Sequence, residues 1–279
     1  MVLFSNALVN AQGRNINQDS VLNLSPQNRV PGLSVLKTIP LSNITRVSLD
    51  RQDRFIVCTE KGLVTRFDSN GNAGNLYSPR RPADVTLAEA WNGLRIFLFY
   101  RDLQEYVYLD RFLTESPNSP VPQDIVGYAR MAAPAQDDNL WVIDEADFSL
   151  KKIDPVAGSV LLSTRLAPVL QSPKNADFSF MREYQNRLYI AERNTGIIVF
   201  DNMGNMQRRL PLKDVGFFSF SGDEMVFTKG SEISFINIYT LAERNISLPA
   251  DIKAQRVLVS GKSAAVFTDT AMLICELLK

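Results

Sequence analysis

The sequence contains no histidine. A chain without imidazole cannot run a Ser-His-Asp or Cys-His relay, and it has no histidine to offer to a metal. This absence excludes most hydrolase mechanisms and leaves carboxylate, lysine, tyrosine or arginine chemistry, together with calcium or magnesium held by carboxylates. No catalytic motif stands out among the remaining residues, so the sequence predicts no catalytic residue and no cofactor.

Cysteine is also scarce, with two residues in a chain of 279. Cys58 and Cys275 each lie inside an apolar segment. Two such cysteines indicate neither a disulfide framework nor a thiolate metal site. We expect both to be small buried hydrophobic residues.

No single sign of charge dominates, because 30 lysine and arginine residues balance 30 aspartate and glutamate residues. No global field would therefore draw the protein to nucleic acid or to an anionic membrane. Glycine-rich phosphate loops and basic stripes with interleaved aromatic residues are absent as well. The longest apolar runs are far shorter than the roughly 20 residues that span a bilayer. We predict no nucleic-acid partner and no direct membrane insertion.

The chain does contain a repeat of an apolar run, a polar break and a second apolar run. The first of these runs reads RFIVCTE from Arg54, RIFLFYR from Arg95, NLWVIDE from Asn139, RLYIAER from Arg187, EMVFTKG from Glu224 and AAVFTDT from Ala264. Short strands with a period of roughly 40 residues are typical of propeller blades. The sequence therefore predicts an all-β fold, a six-bladed β-propeller of four-stranded antiparallel blades.

The ring is predicted to close through an N-terminal strand. The segment LSVLKTIPL from Leu33 is similar to RRLPL and RNISLP, which we interpret as outer strands, whereas the last repeat ends after its third strand. A strand from Leu33 onward would complete that blade and remove a free sheet edge. We expect one propeller domain over residues 33–279. Closure would also make Cys58 and Cys275 members of neighbouring blades, so a bridge between them stays open.

Residues 1–32 are predicted to be an N-terminal arm or the remnant of an export signal. The stretch MVLFSNALVNAQG has a short apolar run and small residues before Gln12, although it lacks a basic start. It resembles the end of export signals in Bacteroidota-type bacteria, which often finish in Ala-Gln. The resemblance implies a protein of the periplasm or the cell surface, and an ordinary arm on a cytoplasmic protein is the alternative.

One face of a propeller carries the turns between second and third strands and the links that enter each blade. In this chain those turns and links contain charges of both signs, and every unit supplies at least one charge. Mixed signs suit a protein partner better than a single charged ligand, and Trp91 beside a turn suits an aromatic anchor. We predict a partner-binding rim formed by Glu60, Lys61, Arg80, Arg81, Trp91, Arg101, Asp102, Glu145, Glu192, Arg193, Lys229 and Asp269.

Four carboxylates of this rim support an alternative prediction. Six-bladed lactonases and sugar dehydrogenases use carboxylates and carbonyls around the central funnel, and calcium prefers such oxygen ligands. The carboxylates that could converge in this way are Glu60, Glu145, Glu192 and Asp269.

Over residues 33–279 the repeat resembles the six-bladed propellers of the NHL type and of the YWTD type found in low-density-lipoprotein receptors. The likeness lies in the period, in strand length and in turns such as GIIVFDNMGN, while the YWTD tetrapeptide is missing. The resemblance implies the fold, which does not fix the function. Our first interpretation is a non-catalytic scaffold for protein–protein interaction, as an accessory subunit of a bacterial envelope secretion or assembly complex of the type IX kind. The alternatives are a calcium-dependent lactonase or sugar-acting enzyme, and a glycan- or peptide-binding module.

Overall fold

The computed structural model describes residues 29–30, 32–91 and 95–278. Twenty-five strands within these residues form six antiparallel sheets. The sheets are the blades of a ring, and the predicted all-β, six-bladed propeller is confirmed. Within the same residues no helix has the length and apolar character needed to cross a membrane.

Each blade runs from an inner first strand to an outer fourth strand. Blade 1 contains β3 (Ile44–Leu49), β4 (Phe55–Thr59), β5 (Val64–Phe67) and β6 (Ala73–Tyr77). Blade 2 contains β7 (Leu87–Glu89), β8 (Ile96–Tyr100), β9 (Glu105–Leu109) and β10 (Ser119–Pro120). Blade 3 contains β11 (Ala129–Pro134), β12 (Leu140–Asp144), β13 (Ser149–Asp154) and β14 (Ser159–Arg165).

The second half of the ring repeats the arrangement. Blade 4 contains β15 (Phe178–Tyr184), β16 (Arg187–Glu192), β17 (Gly196–Asp201) and β18 (Met206–Leu210). Blade 5 contains β19 (Ser219–Ser221), β20 (Glu224–Lys229), β21 (Glu232–Asn237) and β22 (Glu243–Ser247). Blade 6 contains β23 (Arg256–Ser260), β24 (Ser263–Phe267) and β25 (Ala271–Leu277). Short 3-10 helices span Glu60–Gly62, Arg101–Leu103 and Pro173–Asn175.

The fourth strand of blade 6 comes from the other end of the chain. Strand β2 (Leu33–Pro40) pairs antiparallel with β25, from Leu33 opposite Leu277 to Pro40 opposite Ala271. Strand β1 (Arg29–Val30) extends the same sheet by one short strand. The ring is therefore closed by an N-terminal strand, as the likeness of LSVLKTIPL to the outer strands predicted. Nearly all of the predicted arm of residues 1–32 lies outside the described residues.

The hydrophobic core lies between neighbouring blades. A middle strand is covered on both faces, so it needs a continuous apolar run rather than an alternating one. All five residues of β8 are buried, and so are all five of β12, whose Trp141 is fully buried. The outer strand β14 faces solvent and has no buried residue. Burial thus falls from the middle strands to the outer strands of the blades.

Turn aspartates fix the ends of the third strands. The Oδ1 atom of Asp68 accepts hydrogen bonds from the backbone N–H groups of Asn70 and Asn72 at 2.9 and 2.8 Å. Gly71 in the same turn has a φ of 72°, a conformation that glycine adopts without strain. Asp201 holds the equivalent turn of blade 4 in the same way. These aspartates stabilise turns.

The outer strand of blade 2 is the shortest fourth strand. The proline-rich segment of residues 114–123 leaves room for two paired residues, Ser119 and Pro120, opposite Tyr106 and Glu105. Proline cannot donate to a ladder, which confines it to sheet edges. A loop therefore replaces most of this strand, and the outer edge of blade 2 is recessed.

Both cysteines are free and fully buried. Burial raises the pKa of Cys58 to about 12 and the pKa of Cys275 to about 12. The thiols therefore stay protonated and behave as small hydrophobic groups, as expected. The possible bridge between them does not form in this structure.

Candidate functional site

The turns between second and third strands lie at the same end of the sheets as the links that enter the blades. We call this end the hairpin face. Main-chain hydrogen bonds join the two sets of loops: the N–H of Glu60 donates to the carbonyl of Asn43 at 3.1 Å, and the N–H of Glu145 to that of Tyr128 at 2.8 Å. The first strands of the blades pack together at the centre of the ring. We call this centre the central channel, and the hairpin face lies at one of its two ends, or mouths.

Eight of the predicted residues are exposed at the turns between second and third strands of the hairpin face, and every blade supplies at least one. They are Glu60, Lys61, Arg101, Asp102, Glu145, Arg193, Lys229 and Asp269, and we call this set the rim. Some form loose surface pairs, such as Arg101 Nε with Asp102 Oδ1 at 3.2 Å. Exposed pairs of this kind are screened by solvent and contribute little to stability. The rim is thus a polar surface with both signs of charge.

Arg80 and Arg81 lie on the link that enters blade 2, so they are also exposed on the hairpin face, beside the rim. The Arg80 side chain is 93% exposed, and its Nε atom lies 3.3 Å from Glu115 Oε1. Arg81 Nη2 lies 2.8 Å from Glu105 Oε2. The two arginines border a pocket of about 610 Å³ beside the recessed edge of blade 2.

Two tyrosines form the inner wall of this pocket. The Tyr77 hydroxyl donates to Glu115 Oε2 at 2.6 Å. The Tyr100 hydroxyl is buried and has no hydrogen-bond partner within the described part of the chain. Burial raises the pKa of both phenols, so both stay protonated. The pocket is thus lined by two tyrosine rings and by charged groups that pair with each other.

Glu192 was predicted to belong to the rim, but the structure places its side chain inside the protein. It is 2% exposed, and its Oε1 atom accepts hydrogen bonds from the N–H groups of Asp177 at 3.0 Å and Asn194 at 3.3 Å. Thr195 donates its hydroxyl to the other oxygen. Burial raises the pKa of Glu192, but these hydrogen bonds outweigh burial and hold the pKa below its usual value. Glu192 fixes the hairpin of blade 4 to the link that enters it.

Trp91 is the second residue whose predicted place in the rim needs correction. It follows β7, so it belongs to a turn between first and second strands at the opposite end of the sheets. Its ring is half-buried against the core, with its centroid 5.7 Å from that of Tyr184. Arg51 Nε donates to its carbonyl at 2.9 Å. Trp91 therefore packs around the other mouth of the channel.

The four carboxylates of the calcium alternative are not brought together. Glu60, Glu145 and Asp269 stand on separate blades, and Glu192 is engaged by main-chain donors. Across residues 29–30, 32–91 and 95–278, no group of three or more acidic, histidine or cysteine residues is placed to hold a metal ion. The predicted convergence is therefore wrong for the described residues.

Two arginines at the hairpin-face mouth of the channel were not predicted from the sequence. Arg46 lies on β3 and Arg256 on β23, the first strands of the neighbouring blades 1 and 6. Arg256 Nη1 donates to the carbonyl of Ile44 at 3.4 Å, which joins the two strands near Arg46. One sequence signal could have indicated both arginines. The first strands of blades 1 and 6 contain the same Arg-Val pair, in TRVSL and in QRVLV.

Both guanidinium groups are held in an environment that disfavours their charge. Burial, together with the positive charges of Arg46 and Arg193, lowers the pKa of Arg256 to about 10, although Asp269 acts in the opposite direction. Burial also lowers the pKa of Arg46, with Arg193 and Arg101 acting in the same direction. The channel mouth inside the rim is therefore a concentration of positive charge, whereas the rim itself is mixed.

Comparison with known proteins supports the fold alone. Neither a protein-family model nor a curated protein sequence matches the chain. The β-propeller domain of Myceliophteria thermophila Cps50 (Swd1) is similar over 88% of this chain and all of that domain, with a TM-score of 0.59 and 12% identity. A streptogramin B lyase gives a TM-score of 0.55 and 16% identity over 88% of this chain and 87% of the lyase.

A third similar structure is a catalytically inactive virginiamycin B lyase from Staphylococcus aureus with quinupristin. Its TM-score is 0.53 at 12% identity, over 92% of this chain and 98% of that one. These proteins share a propeller ring with this chain at very low sequence identity. Because one fold hosts many unrelated functions, their activities are not carried over.

Proposed function

We propose that this protein is a non-catalytic propeller scaffold that binds another protein through its hairpin face. The observation that carries the proposal is the rim, to which every blade contributes an exposed charged side chain and in which both signs occur. A broad surface of mixed charge suits electrostatic complementarity with a protein, which sets specificity and speeds association. Loops on a rigid scaffold are also where binding residues concentrate.

The buried acid of the hairpin face, Glu192, is engaged by the fold and is not suited to act as a general acid. Glu192 accepts hydrogen bonds from two main-chain N–H groups and from Thr195, and its pKa lies below the usual value. A general acid at neutral pH needs the opposite shift. Glu192 thus has the properties of a structural residue that keeps the hairpin of blade 4 in place.

We further propose that the partner belongs to a bacterial envelope complex for secretion or assembly, of the type IX kind, with this protein as an accessory subunit in the periplasm or at the cell surface. Support comes from the resemblance of MVLFSNALVNAQG to the end of export signals, a stretch outside the described residues. Fractionation of cells that express the full chain tests the location. Recovery in the cytoplasm would contradict it.

The proposed function is tested by affinity purification from native membranes after mild crosslinking, with mass spectrometry of the captured proteins. The rim variant is the double charge reversal Arg101→Glu and Lys229→Glu. The matched control, Arg95→Glu and Lys262→Glu, makes the same charge change in exposed turns at the opposite end of the sheets. We expect a reproducible partner that the control captures and the rim variant loses.

Two results would contradict the proposed function. Equal capture by the rim variant and the control would remove the hairpin face as the binding surface. A protein that is recovered alone and binds a glycan saturably, without turnover, would support the binding-module alternative.

A further inference from the structure

The first strands of the blades contribute four arginines whose side chains the structure describes around the channel. Two of them have carboxylate partners. Arg182 pairs with Glu89 inside the channel, and Arg130 Nη1 lies 3.5 Å from Glu145 Oε1 at the hairpin face. A half-buried guanidinium normally needs such a partner, because an uncompensated charge is costly away from water.

Arg46 and Arg256 are different. The Arg46 side chain donates to the main-chain carbonyls of Thr45, at 2.7 Å, and of Thr86. Arg256 donates to the carbonyl of Ile44. Among the ion pairs of the described residues, none includes either side chain. The fold thus places two cations on the adjoining first strands of blades 1 and 6, and it supplies neither with a carboxylate at ion-pair distance; Asp84 and Asp269 act on them only from farther away.

Arg193 of blade 4 adds positive charge at the hairpin face, and its charge lowers the pKa of both Arg46 and Arg256. Its guanidinium lies against the link that enters blade 5, so close that a Cβ atom on Gly216 would stand 2.8 Å from Arg193 Nε and Nη2. Gly216 therefore leaves the space that the side chain occupies. Arg193 Nη1 lies 3.5 Å from Asp177 Oδ2, but both side chains are about half exposed, so solvent screens this pair and it offsets only part of the charge.

We propose that Arg46 and Arg256 form an oxyanion-binding site at the mouth of the channel on the hairpin face. Guanidinium groups bind carboxylate and phosphate oxygens through paired, charge-assisted hydrogen bonds. A bound oxyanion would supply the compensation that the fold omits. The inference rests on the proposed function in one respect: the anion would be a carboxylate group on an acidic segment of the partner, inserted at the centre of the rim. A free small oxyanion, such as phosphate, has the same chemistry and is the alternative source of the bound anion.

Isothermal titration calorimetry on the full chain tests the site. The probes are inorganic phosphate, for a free anion, and an acetylated hexaglutamate peptide, for an acidic segment, at ionic strength fixed with sodium chloride. We expect saturable binding of at least one probe. Arg46→Gln and Arg256→Gln should each weaken it about tenfold or more, because each removes charge-assisted hydrogen bonds. Arg95→Gln, at the opposite end of the sheets, should leave the affinity unchanged.

The variants also test the site without a ligand. Because Arg256→Gln removes a half-buried cation that has no direct ion pair within the described residues, its urea midpoint in chloride alone should equal or exceed that of the unmodified protein. Arg46→Lys should retain part of the affinity, since it keeps the charge and loses the planar fork. Binding of the peptide alone assigns the site to an acidic segment, and binding of phosphate as well shows that a free oxyanion suffices.

Absence of binding by both probes, or equal binding by Arg256→Gln and the unmodified protein, would overturn the site. Partner capture is measured on the same variants to separate the two proposals. If the rim variant loses the partner while phosphate and peptide fail to bind, the oxyanion site is wrong and the scaffold stands. If the rim variant keeps the partner while Arg256→Gln loses the peptide, the site stands and the proposed binding face is wrong.

Discussion

Arg182 and Glu89 meet across the central channel, although they belong to blades 4 and 2. Arg182 Nη2 lies 3.0 Å from Glu89 Oε1, and the Nε atom donates to the other carboxylate oxygen. Arg182 Nη2 also reaches the Ser48 hydroxyl of blade 1 at 3.2 Å. Both charged side chains are nearly inaccessible to solvent. One bidentate ion pair thus ties three blades together at the centre of the ring.

Glu89→Gln is expected to destabilise the protein by about 3 to 5 kcal/mol, because it leaves Arg182 buried without its counter-ion. Urea denaturation at neutral pH measures the change. The control is Glu224→Gln, which breaks the more exposed pair with Arg244 and should cost less than about 1 kcal/mol. Similar costs for the two variants would show that the channel pair does not hold the blades.

Stability should be flat between about pH 5.5 and 8, since the chain has no histidine to titrate there. Below that range it should fall. Although burial acts in the opposite direction, hydrogen bonds from Thr195 and from main-chain N–H groups hold the pKa of Glu192 below its ordinary value of 4.5. Its contribution is therefore complete above pH 4.5 and is lost as the pH drops through the folded pKa.

Urea midpoints from pH 2.5 to 8 test this dependence. Glu192→Gln should make the acid side of the profile shallower, because one carboxylate with a depressed pKa is gone. An unchanged slope would mean that Glu192 contributes nothing to the acid sensitivity.

Gly196→Ala should cost at least about 2 kcal/mol. Gly196 has a φ of 118°, and a Cβ atom there would stand 2.0 Å from the carbonyl oxygen of Leu210. Gly158→Ala is the control, since Gly158 has a φ of 62° and open space around it, and should cost about 1 kcal/mol. Urea denaturation of both variants measures the difference, and equal costs would contradict the close approach of β17 to β18.

Cys58 and Cys275 should resist alkylation in the folded protein. Both are fully buried, and burial raises the pKa of each to about 12, so the reactive thiolate is scarce at pH 8. Intact-mass measurement after iodoacetamide treatment should show no adduct in buffer and two adducts in denaturing urea. Labelling of the native protein on the time scale of the denatured control would contradict the burial.

Reversal of charge at Arg80 and Arg81 is expected to weaken partner capture with little loss of stability. Both side chains are largely exposed, and their pairs with Glu115 and Glu105 are surface pairs that contribute at most about 1 kcal/mol. The double variant Arg80→Glu and Arg81→Glu is compared with the control at Arg95 and Lys262. Unchanged capture would remove the two arginines from the proposed surface.

The blade count could be predicted from the sequence because the middle strands have strong local patterns. Segments such as RIFLFYR and NLWVIDE combine long apolar runs with polar ends, and they became β8 and β12. The closing strand was also predictable, because an outer strand has its own pattern of apolar and exposed residues. Both predictions depend on short stretches of chain.

The site was harder, because exposure and charge pairing depend on contacts between distant blades. Glu145 and Glu192 both end an apolar run, but β12 ends at Asp144 while β16 ends at Glu192 itself, so Glu192 occupies the buried position. Alignment of NLWVIDE with RLYIAER would have shown this. The sequence around Arg46 and Arg182 does not show which of the two has a carboxylate partner. Arg182 pairs with Glu89, which is 93 residues away, whereas Arg46 has no ion pair within the described residues.

The pairing of β2 with β25 has a consequence for how the chain reaches this structure. Most contacts in the ring are between strands close in sequence and can form as each hairpin emerges from the ribosome. The seam between Leu33 and Leu277 joins opposite ends of the chain, so its loop-closure entropy is lost in one late step. Until then the third strand of blade 6 presents an unpaired edge. The nascent protein is therefore most open to aggregation and proteolysis immediately before the seam forms.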